Sequence, residues 1–242
     1  MNRAWTMASR PIGEPKQENF ALEESPIPTP KYGELLIRTL FMSLDPYMRG
    51  RMRLGPSYAT PLQPGDVMTG EVVARVEQSK SSNYTVGDIV RSSIGWREWA
   101  AVSDHSVKRV DPSLGPVSTA VGVLGMPGLT AYHGLLDVGQ PKAGDTLVVS
   151  AASGAVGAVV GQIGKINGCN VIGVAGSDKK CNYVKNDLGF DYTINYKTQE
   201  VSSELKRLSP NGVDVYFDNV GGPVLDAVLD NLAFKARIAI CG

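Results

Sequence analysis

Apolar residues in the second half of the chain fall into five short runs, and helical segments lie between them. The runs are TLVVS from Thr146, NVIGVA from Asn170, YTIN from Tyr192, VDVYFD from Val213 and RIAICG from Arg237. Their starts are 21 to 24 residues apart, which suits one strand–helix unit each. Short apolar strands that alternate with helices indicate a parallel sheet covered on both faces. The pattern therefore predicts a doubly wound α/β domain.

The first half has a different pattern, in which β-type runs lie between turns rich in proline and glycine. The runs are ELLIRTLFMSL, VMTGEVVARV and DIVRSS, and the turns include PIPTPKYG and PLQPGD. This pattern predicts a small antiparallel β domain with long loops. The segment VGVLGMPGLTAYHGLLDVG predicts a connecting helix that ends at Gly139. We therefore expect two domains, residues 1–120 and residues 121–242.

The fifth apolar run lies at the very end of the sequence. A complete six-stranded dinucleotide-binding sheet needs one more strand–helix unit, and an open sheet edge is usually covered or paired. The expectation is that the parallel sheet is incomplete and that the 242 residues are part of a longer protein.

Composition excludes several classes of partner. The 24 basic and 24 acidic residues balance, so neither a nucleic acid nor an anionic membrane surface is an expected partner. The three cysteines are widely spaced, which favours reduced thiols in a cytoplasmic protein over a disulfide framework. Residues 147–164 are uncharged but too polar and glycine-rich for a membrane helix. We expect a soluble protein.

The stretch SAASGAVG at residues 150–157 nearly matches the dinucleotide-binding fingerprint. Ala152 stands at the turn position, Gly154 where the backbone approaches the pyrophosphate, and Gly157 where helix packs on strand. With Gly161 and Gly164, Gly157 predicts a helix face held close to the sheet. Its place between a buried strand and a helix favours nucleotide binding over a purely structural turn. The candidate phosphate-binding residues are Ala152, Ser153, Gly154, Ala155, Val156 and Gly157.

The end of the second strand, VAGSDKKC, indicates which dinucleotide binds. NAD sites usually have an acidic residue there, whereas this chain has Gly176 and Ser177, followed by Lys179 and Lys180. A small polar gap beside cations accepts the 2′-phosphate of NADP. Asp178 is expected to cap the next helix or to favour its first turn. The alternative is that the two lysines are simply an exposed helix face.

No metal site or nucleophile is predicted. No cysteine precedes Cys169, and His105, the only early histidine, cannot form a catalytic zinc site by itself. His133 is expected to be a packed or hydrogen-bonded helix residue. The chemistry is therefore expected to come from the cofactor, with the protein positioning the substrate.

Several motifs, spread in order over nearly the whole chain, carry a resemblance to a known family. The chain resembles the medium-chain dehydrogenase/reductase superfamily, and within it the zinc-independent prostaglandin and leukotriene reductases, bacterial curcumin reductases and plant alkenal double-bond reductases. The resemblance implies a GroES-like β domain followed by a Rossmann domain, and a homodimer for the full-length protein. The motifs are SLDPYMRGRM, GVLGMPGLTAY, SAASGAVG, GQIGKINGC, VAGSDKK, INYKT and FDNVGG.

The resemblance also implies a reaction, the NADPH-dependent reduction of a carbon–carbon double bond conjugated to a carbonyl. Hydride goes to the β carbon, and the resulting enolate is protonated at the α carbon; the substrate is a small enone or enal. The alternatives are a quinone reductase of the same superfamily and a non-catalytic NADP-binding module.

The resemblance assigns roles to individual residues. Those implied near the 2′-phosphate are Gly176, Ser177, Lys180 and Tyr196. Those implied near the nicotinamide are Met126, Thr130 and Asn219, and Cys241 is a further cofactor-binding candidate. Tyr47 and Tyr58 would face the substrate, where either phenol could orient the carbonyl. The structural alternatives are that Met126 fills core, that Asn219 caps the following helix and that Tyr47 packs its own loop.

Overall fold

The computed structural model describes residues 1–55 and 59–242. These residues divide into two compact units, residues 1–121 and residues 122–242. Tyr58 lies outside the described residues.

The first unit is an antiparallel β structure. Its strands are β1 (Asn2–Met7), β2 (Phe20–Ser25), β3 (Glu34–Met42), β4 (Val72–Ser79), β5 (Ile89–Ser92), β6 (Trp99–Ser103) and β7 (Lys108–Arg109). β1 and β2 form a separate ribbon, and the other five strands form one sheet in the order β6-β3-β4-β5-β7. The sheet buries one face around alternating residues such as Leu35, Ile37 and Val90.

Helical segments in this unit are short. The α-helix α1 spans Tyr47–Arg51, and the 3-10 turns are Gln17–Asn19, Asp104–Ser106, Pro112–Leu114 and Val117–Val121. The three predicted β runs correspond to β3, β4 and β5, while β1, β2, β6 and β7 were not predicted. The antiparallel prediction is confirmed.

The second unit is a parallel sheet with helices on both faces. Its strands are β8 (Thr146–Val149), β9 (Asn170–Ala175), β10 (Tyr192–Asn195), β11 (Val213–Asp218) and β12 (Leu232–Ile240). Its helices are α2 (Met126–His133), α3 (Gly157–Ile166), α4 (Asp178–Asn186), α5 (Val201–Leu208) and α6 (Gly222–Leu229). α2 continues as a π-helix over Gly134–Gly139. The predicted connecting helix therefore begins at Met126 and does end at Gly139.

All five strands are parallel, in the order β10-β9-β8-β11-β12, which confirms the doubly wound prediction. Neighbouring residues of β8 face opposite sides of the sheet. Leu147 and Val149 pack with Val160 of α3, whereas Val148 packs with Leu205 of α5 and Val228 of α6. The chain reverses its winding between β8 and β11, the place where such sheets bind ligands beyond their carboxyl ends.

Four of the five strands begin at the predicted residue, and β12 does not. β12 begins at Leu232 rather than Arg237. The sequence does not predict this start because Phe234 is exposed and because Lys235, which has a positive φ of 62°, interrupts the apolar run. The pairing with β11 also shifts register in this region.

The uncharged stretch of residues 147–164 is divided between β8, the following loop and α3. In the part of the chain that the structure describes, no helix is both long and apolar enough to cross a membrane.

Candidate dinucleotide-binding site

The loop from β8 to α3 is held tightly against the sheet. Ala152 is completely buried, and its N–H donates to the carbonyl of Val174 in the neighbouring strand β9, at 3.1 Å. The left-handed residue of the turn is Ala151, with a φ of 47°, and not Ala152. A Cβ on Gly173 would lie 2.9 Å from the Cβ of Ala152. Gly173 therefore makes room for the alanine that replaces the first glycine of the fingerprint.

Gly157 packs directly against the backbone of this turn. A Cβ at Gly157 would lie 2.5 Å from the carbonyl oxygen of Ala151 and 3.0 Å from the Cα of Ala152. A Cβ at Gly154 would lie 3.1 Å from the same carbonyl oxygen. Since neither backbone atom can move without opening the turn, only glycine fits at residue 157.

Gly161 and Gly164 continue the close face of α3. Added Cβ atoms would lie 1.7 Å from the ring of Phe190 and 2.5 Å from the Cδ2 of Leu147, respectively. The prediction that these glycines bring the helix close to the sheet is confirmed.

Replacing Gly161 with alanine is expected to lower the free energy of unfolding by about 1–3 kcal/mol, because the buried Phe190 ring must move. Urea denaturation measures the change. Gly50→Ala is the control, since an added Cβ there meets nothing within 4 Å. Equal stability of Gly161→Ala and the wild type would contradict the steric explanation.

The beginning of α3 offers free hydrogen-bond donors. In residues 1–55 and 59–242, the backbone N–H groups of Ala155, Val156 and Gly157 donate to no acceptor. Free N–H groups at a helix start, together with the positive end of the helix dipole, bind phosphate groups. The loop therefore fits a pyrophosphate.

The residues at the carboxyl end of β9 are small and polar, and an aromatic ring lies against them. A Cβ at Gly176 would lie 2.8 Å from the phenol oxygen of Tyr196. Ser177 is the N-cap of α4, and its hydroxyl accepts the N–H of Lys180 at 3.3 Å. Tyr196 is half exposed, and the side chain of Lys180 forms no ion pair in the described part of the chain. The structure thus brings together Gly176, Ser177 and Tyr196 and places Lys180 in the first turn of α4.

Asp178 does not cap α4, which corrects one of the two expectations for it. It lies in the first turn, as the other expectation had it, and its carboxylate accepts the side-chain amide of Asn195 at 2.6 Å. Asn195 was missed by the sequence analysis. Its signal was a polar residue at the end of a short apolar strand that precedes Tyr196.

Asn219 lies at the switch point between β8 and β11. Its side-chain amide donates to the carbonyl of Ser150 and its backbone N–H donates to the Ser150 hydroxyl, both at 2.8 Å. The N-cap of α6 is Gly221, so the alternative in which Asn219 caps that helix is wrong.

The buried carboxylate of Asp218 holds the chain segment that contains Asn219. Asp218 is 1% exposed and accepts hydrogen bonds from the Tyr216 hydroxyl, the Ser150 hydroxyl and the N–H groups of Val220 and Gly221. Burial by itself raises the pKa of Asp218, but the N–H groups of Gly221 and Val220 and the two hydroxyls lower it, and the net direction is downward. Burial raises the pKa of Tyr216, which therefore stays a neutral donor.

The other predicted residues lie on separate elements. Met126 and Thr130 are half buried and one turn apart on α2. The N–H of Cys241 donates to the carbonyl of Asp218 at 2.8 Å, so Cys241 follows β12 at the carboxyl edge of the sheet. Tyr47 is the first residue of α1 in the first unit.

The histidines and cysteines form no cluster. In the described ranges, no three His, Cys, Asp or Glu side chains are close enough to hold a metal ion. His133 is hydrogen-bonded to Asp137 at 2.7 Å, as predicted for a helix residue. All three cysteines are free thiols.

Comparison with known proteins places the chain in a family. Residues 3–110 match the family described as "N-terminal domain of oxidoreductase", and residues 155–242 match "Zinc-binding dehydrogenase". The NADPH-dependent curcumin reductase of Escherichia coli is 51% identical over 100% of this chain and 70% of its own length. Mouse prostaglandin reductase 1 is 46% identical over 99% of this chain and 72% of its own length.

A solved structure agrees with these relatives. CurA from Vibrio vulnificus, in complex with NADPH, superposes with a TM-score of 0.94 at 51% identity. The match covers 99% of this chain and 71% of the CurA chain. The similarity extends over both units of the chain. The protein therefore belongs to the medium-chain dehydrogenase/reductase superfamily, in the branch of the curcumin and prostaglandin reductases.

Proposed function

We propose that the protein is an NADPH-dependent reductase of the carbon–carbon double bond in α,β-unsaturated ketones and aldehydes. The observation that carries this proposal is the 51% identity, over the whole chain, to a reductase named for NADPH and curcumin. The site geometry adds support that does not depend on that name.

The second unit fits NADPH at two places. The free N–H groups of Ala155, Val156 and Gly157 suit the pyrophosphate. The strand end at Gly176, with the phenol of Tyr196 beside it and Lys180 one turn into α4, suits a 2′-phosphate. An NAD-preferring site would usually have a carboxylate at the strand end.

Bound NADPH would supply the hydride for the β carbon of the substrate. We assign the nicotinamide end to Met126, Thr130 and Asn219, with Cys241 at the same edge of the sheet. Asn219 suits this role because its side chain is fixed to Ser150.

Hydride addition leaves negative charge on the carbonyl oxygen of the substrate. A hydrogen-bond donor placed at that oxygen lowers the barrier. We assign this role to the phenols of Tyr47 and Tyr58. Hydride addition and stabilisation of the charged oxygen then need no metal ion, because the proposed phenol donor polarises the carbonyl group.

Steady-state consumption of NADPH tests the proposal against its alternatives. The panel contains enones, enals, quinones and the saturated ketones that correspond to the enones. Turnover of enones and enals, with none of the saturated ketones, is expected. Turnover of quinones alone would move the protein to the quinone reductases, and binding of NADPH without turnover of any compound would favour a non-catalytic module.

Replacing Lys180 with glutamine is expected to raise the dissociation constant for NADP⁺ about tenfold and to change that for NAD⁺ less than about twofold, because one charge-assisted contact to the 2′-phosphate is lost. Isothermal titration calorimetry measures both. Lys179→Gln removes the same charge from the neighbouring helix position and is expected to have a small effect. Equal effects of the two variants would indicate that the lysines act only through overall charge.

The cytoplasmic location and the homodimer stay predictions. The free thiols agree with a reducing compartment.

A further inference from the structure

We propose that Asn195 is a positioning residue for cofactor choice, which holds the carboxylate of Asp178 away from the 2′-phosphate site. The inference rests on the proposed NADPH-dependent function and concerns residues of this chain that do not themselves contact the phosphate.

The site contains an acidic residue that ought to weaken it. Asp178 directly follows Ser177 and is two residues before Lys180, so a negative charge lies in the segment assigned to the 2′-phosphate. A carboxylate near that phosphate repels it, which is how many NAD-preferring sites exclude NADP. The structure must therefore keep this carboxylate at a distance if NADP is to bind well.

Asn195 provides the restraint. Its side-chain amide donates to an Asp178 carboxylate oxygen at 2.6 Å, from the carboxyl end of β10 to the first turn of α4. A hydrogen bond to a charged acceptor is stronger than one between neutral groups. The carboxylate is thereby tied to the neighbouring strand.

The Asn195 side chain is itself fixed, so that it acts as an anchor. It is 5% exposed, and its side-chain oxygen accepts the N–H of Lys197 at 3.2 Å. The backbone N–H of Asn195 donates to the Gln199 side chain at 2.8 Å. With its oxygen used by Lys197, the amide nitrogen is directed at Asp178.

Helix geometry separates Asp178 from Lys180. Residues two apart on a helix face nearly opposite sides and do not interact. The ammonium of Lys180 has no carboxylate partner in the described residues, so its charge stays available for a phosphate. The Asn195–Asp178 bond in addition fixes the carboxylate at the carboxyl end of β10, so that it does not swing toward the phosphate.

Calorimetric titration with NADP⁺ and with NAD⁺ tests the inference on four proteins: the wild type, Asn195→Ser, Asp178→Asn and the double variant. Asn195→Ser frees the carboxylate and is expected to weaken NADP⁺ binding about tenfold, the size of a short-range charge repulsion in a solvated site. NAD⁺ binding should change less than about twofold. Removing the charge in the double variant should restore NADP⁺ affinity, and Asp178→Asn by itself should bind NADP⁺ at least as well as the wild type.

Asp178→Glu is a second route that leaves the buried Asn195 intact. The longer side chain carries its carboxylate past the amide, and NADP⁺ binding should weaken several-fold without a change in thermal stability. If Asn195→Ser weakens both dinucleotides equally, or if the double variant is not restored, Asn195 has a structural role only and the inference is overturned. If the wild type binds neither dinucleotide, the proposed function fails together with it.

Discussion

The Gly157→Val variant is expected to lose NADP⁺ affinity by on the order of 100-fold, which corresponds to about 2.7 kcal/mol. A side chain at residue 157 would place its Cβ 2.5 Å from the carbonyl oxygen of Ala151, which belongs to the backbone of the turn. The turn must open, and the N–H groups of Ala155 and Val156 then lose their alignment for the pyrophosphate. Losing two or three charge-assisted hydrogen bonds accounts for an effect of about this size. Calorimetric titration measures it.

Gly164→Ala is the matched control on the same face of α3. Its added Cβ would meet the Leu147 side chain, at 2.5 Å, and no backbone atom of the turn. Since a side chain can adjust, this variant should lose some stability and keep its affinity for NADP⁺. A Gly157→Val protein that is folded and binds NADP⁺ as the wild type does would show that the loop does not hold the pyrophosphate.

The Asp218→Ala variant is expected to lose about 3–5 kcal/mol of unfolding free energy, because several buried donors lose their acceptor at once. The donors are the hydroxyls of Tyr216 and Ser150 and the N–H groups of Val220 and Gly221. Urea denaturation measures the loss. Asp226→Ala, an exposed carboxylate on α6, should change the stability by less than about 0.5 kcal/mol.

The loss should depend on pH in a defined direction. The hydrogen bonds to Asp218 lower its pKa below the ordinary value of an aspartic acid, which is about 3.9. Its ionised form therefore contributes stability above that value, and the contribution disappears as the pH falls through the lower pKa of the folded state. The difference between wild type and Asp218→Ala should be constant near neutral pH and shrink below about pH 4. A difference that grows on acidification would contradict this assignment.

Spacing and apolar pattern were sufficient for most of the parallel sheet. The strand starts at Thr146, Asn170, Tyr192 and Val213 could be predicted because each opens a short, uninterrupted run of mostly apolar residues. The start of β12 could not, since Lys235 interrupts its apolar run and Phe234 beside it is exposed. In the first unit, β1 was missed because its pairing with β2 is a contact between strands separated by a long loop.

The site residues also divide into those that a local motif predicts and those that depend on a neighbouring element. Gly154 and Gly157 could be assigned from a local steric requirement that the motif encodes. The roles of Gly173 and Asn195 depend on what lies opposite them on a neighbouring element, Ala152 in one case and Asp178 in the other. Such pairs are set by the packing of neighbouring elements, and no local sequence motif encodes them.

The most direct test of the proposed reaction is the position of a transferred deuterium. The protein is incubated with NADPH deuterated at the transferable position of the nicotinamide and with an enone such as benzalacetone, and the product is analysed by NMR. The expected product is the saturated ketone with one deuterium at the former β carbon and with solvent hydrogen at the α carbon. Deuterium on the carbonyl carbon of an allylic alcohol would contradict it.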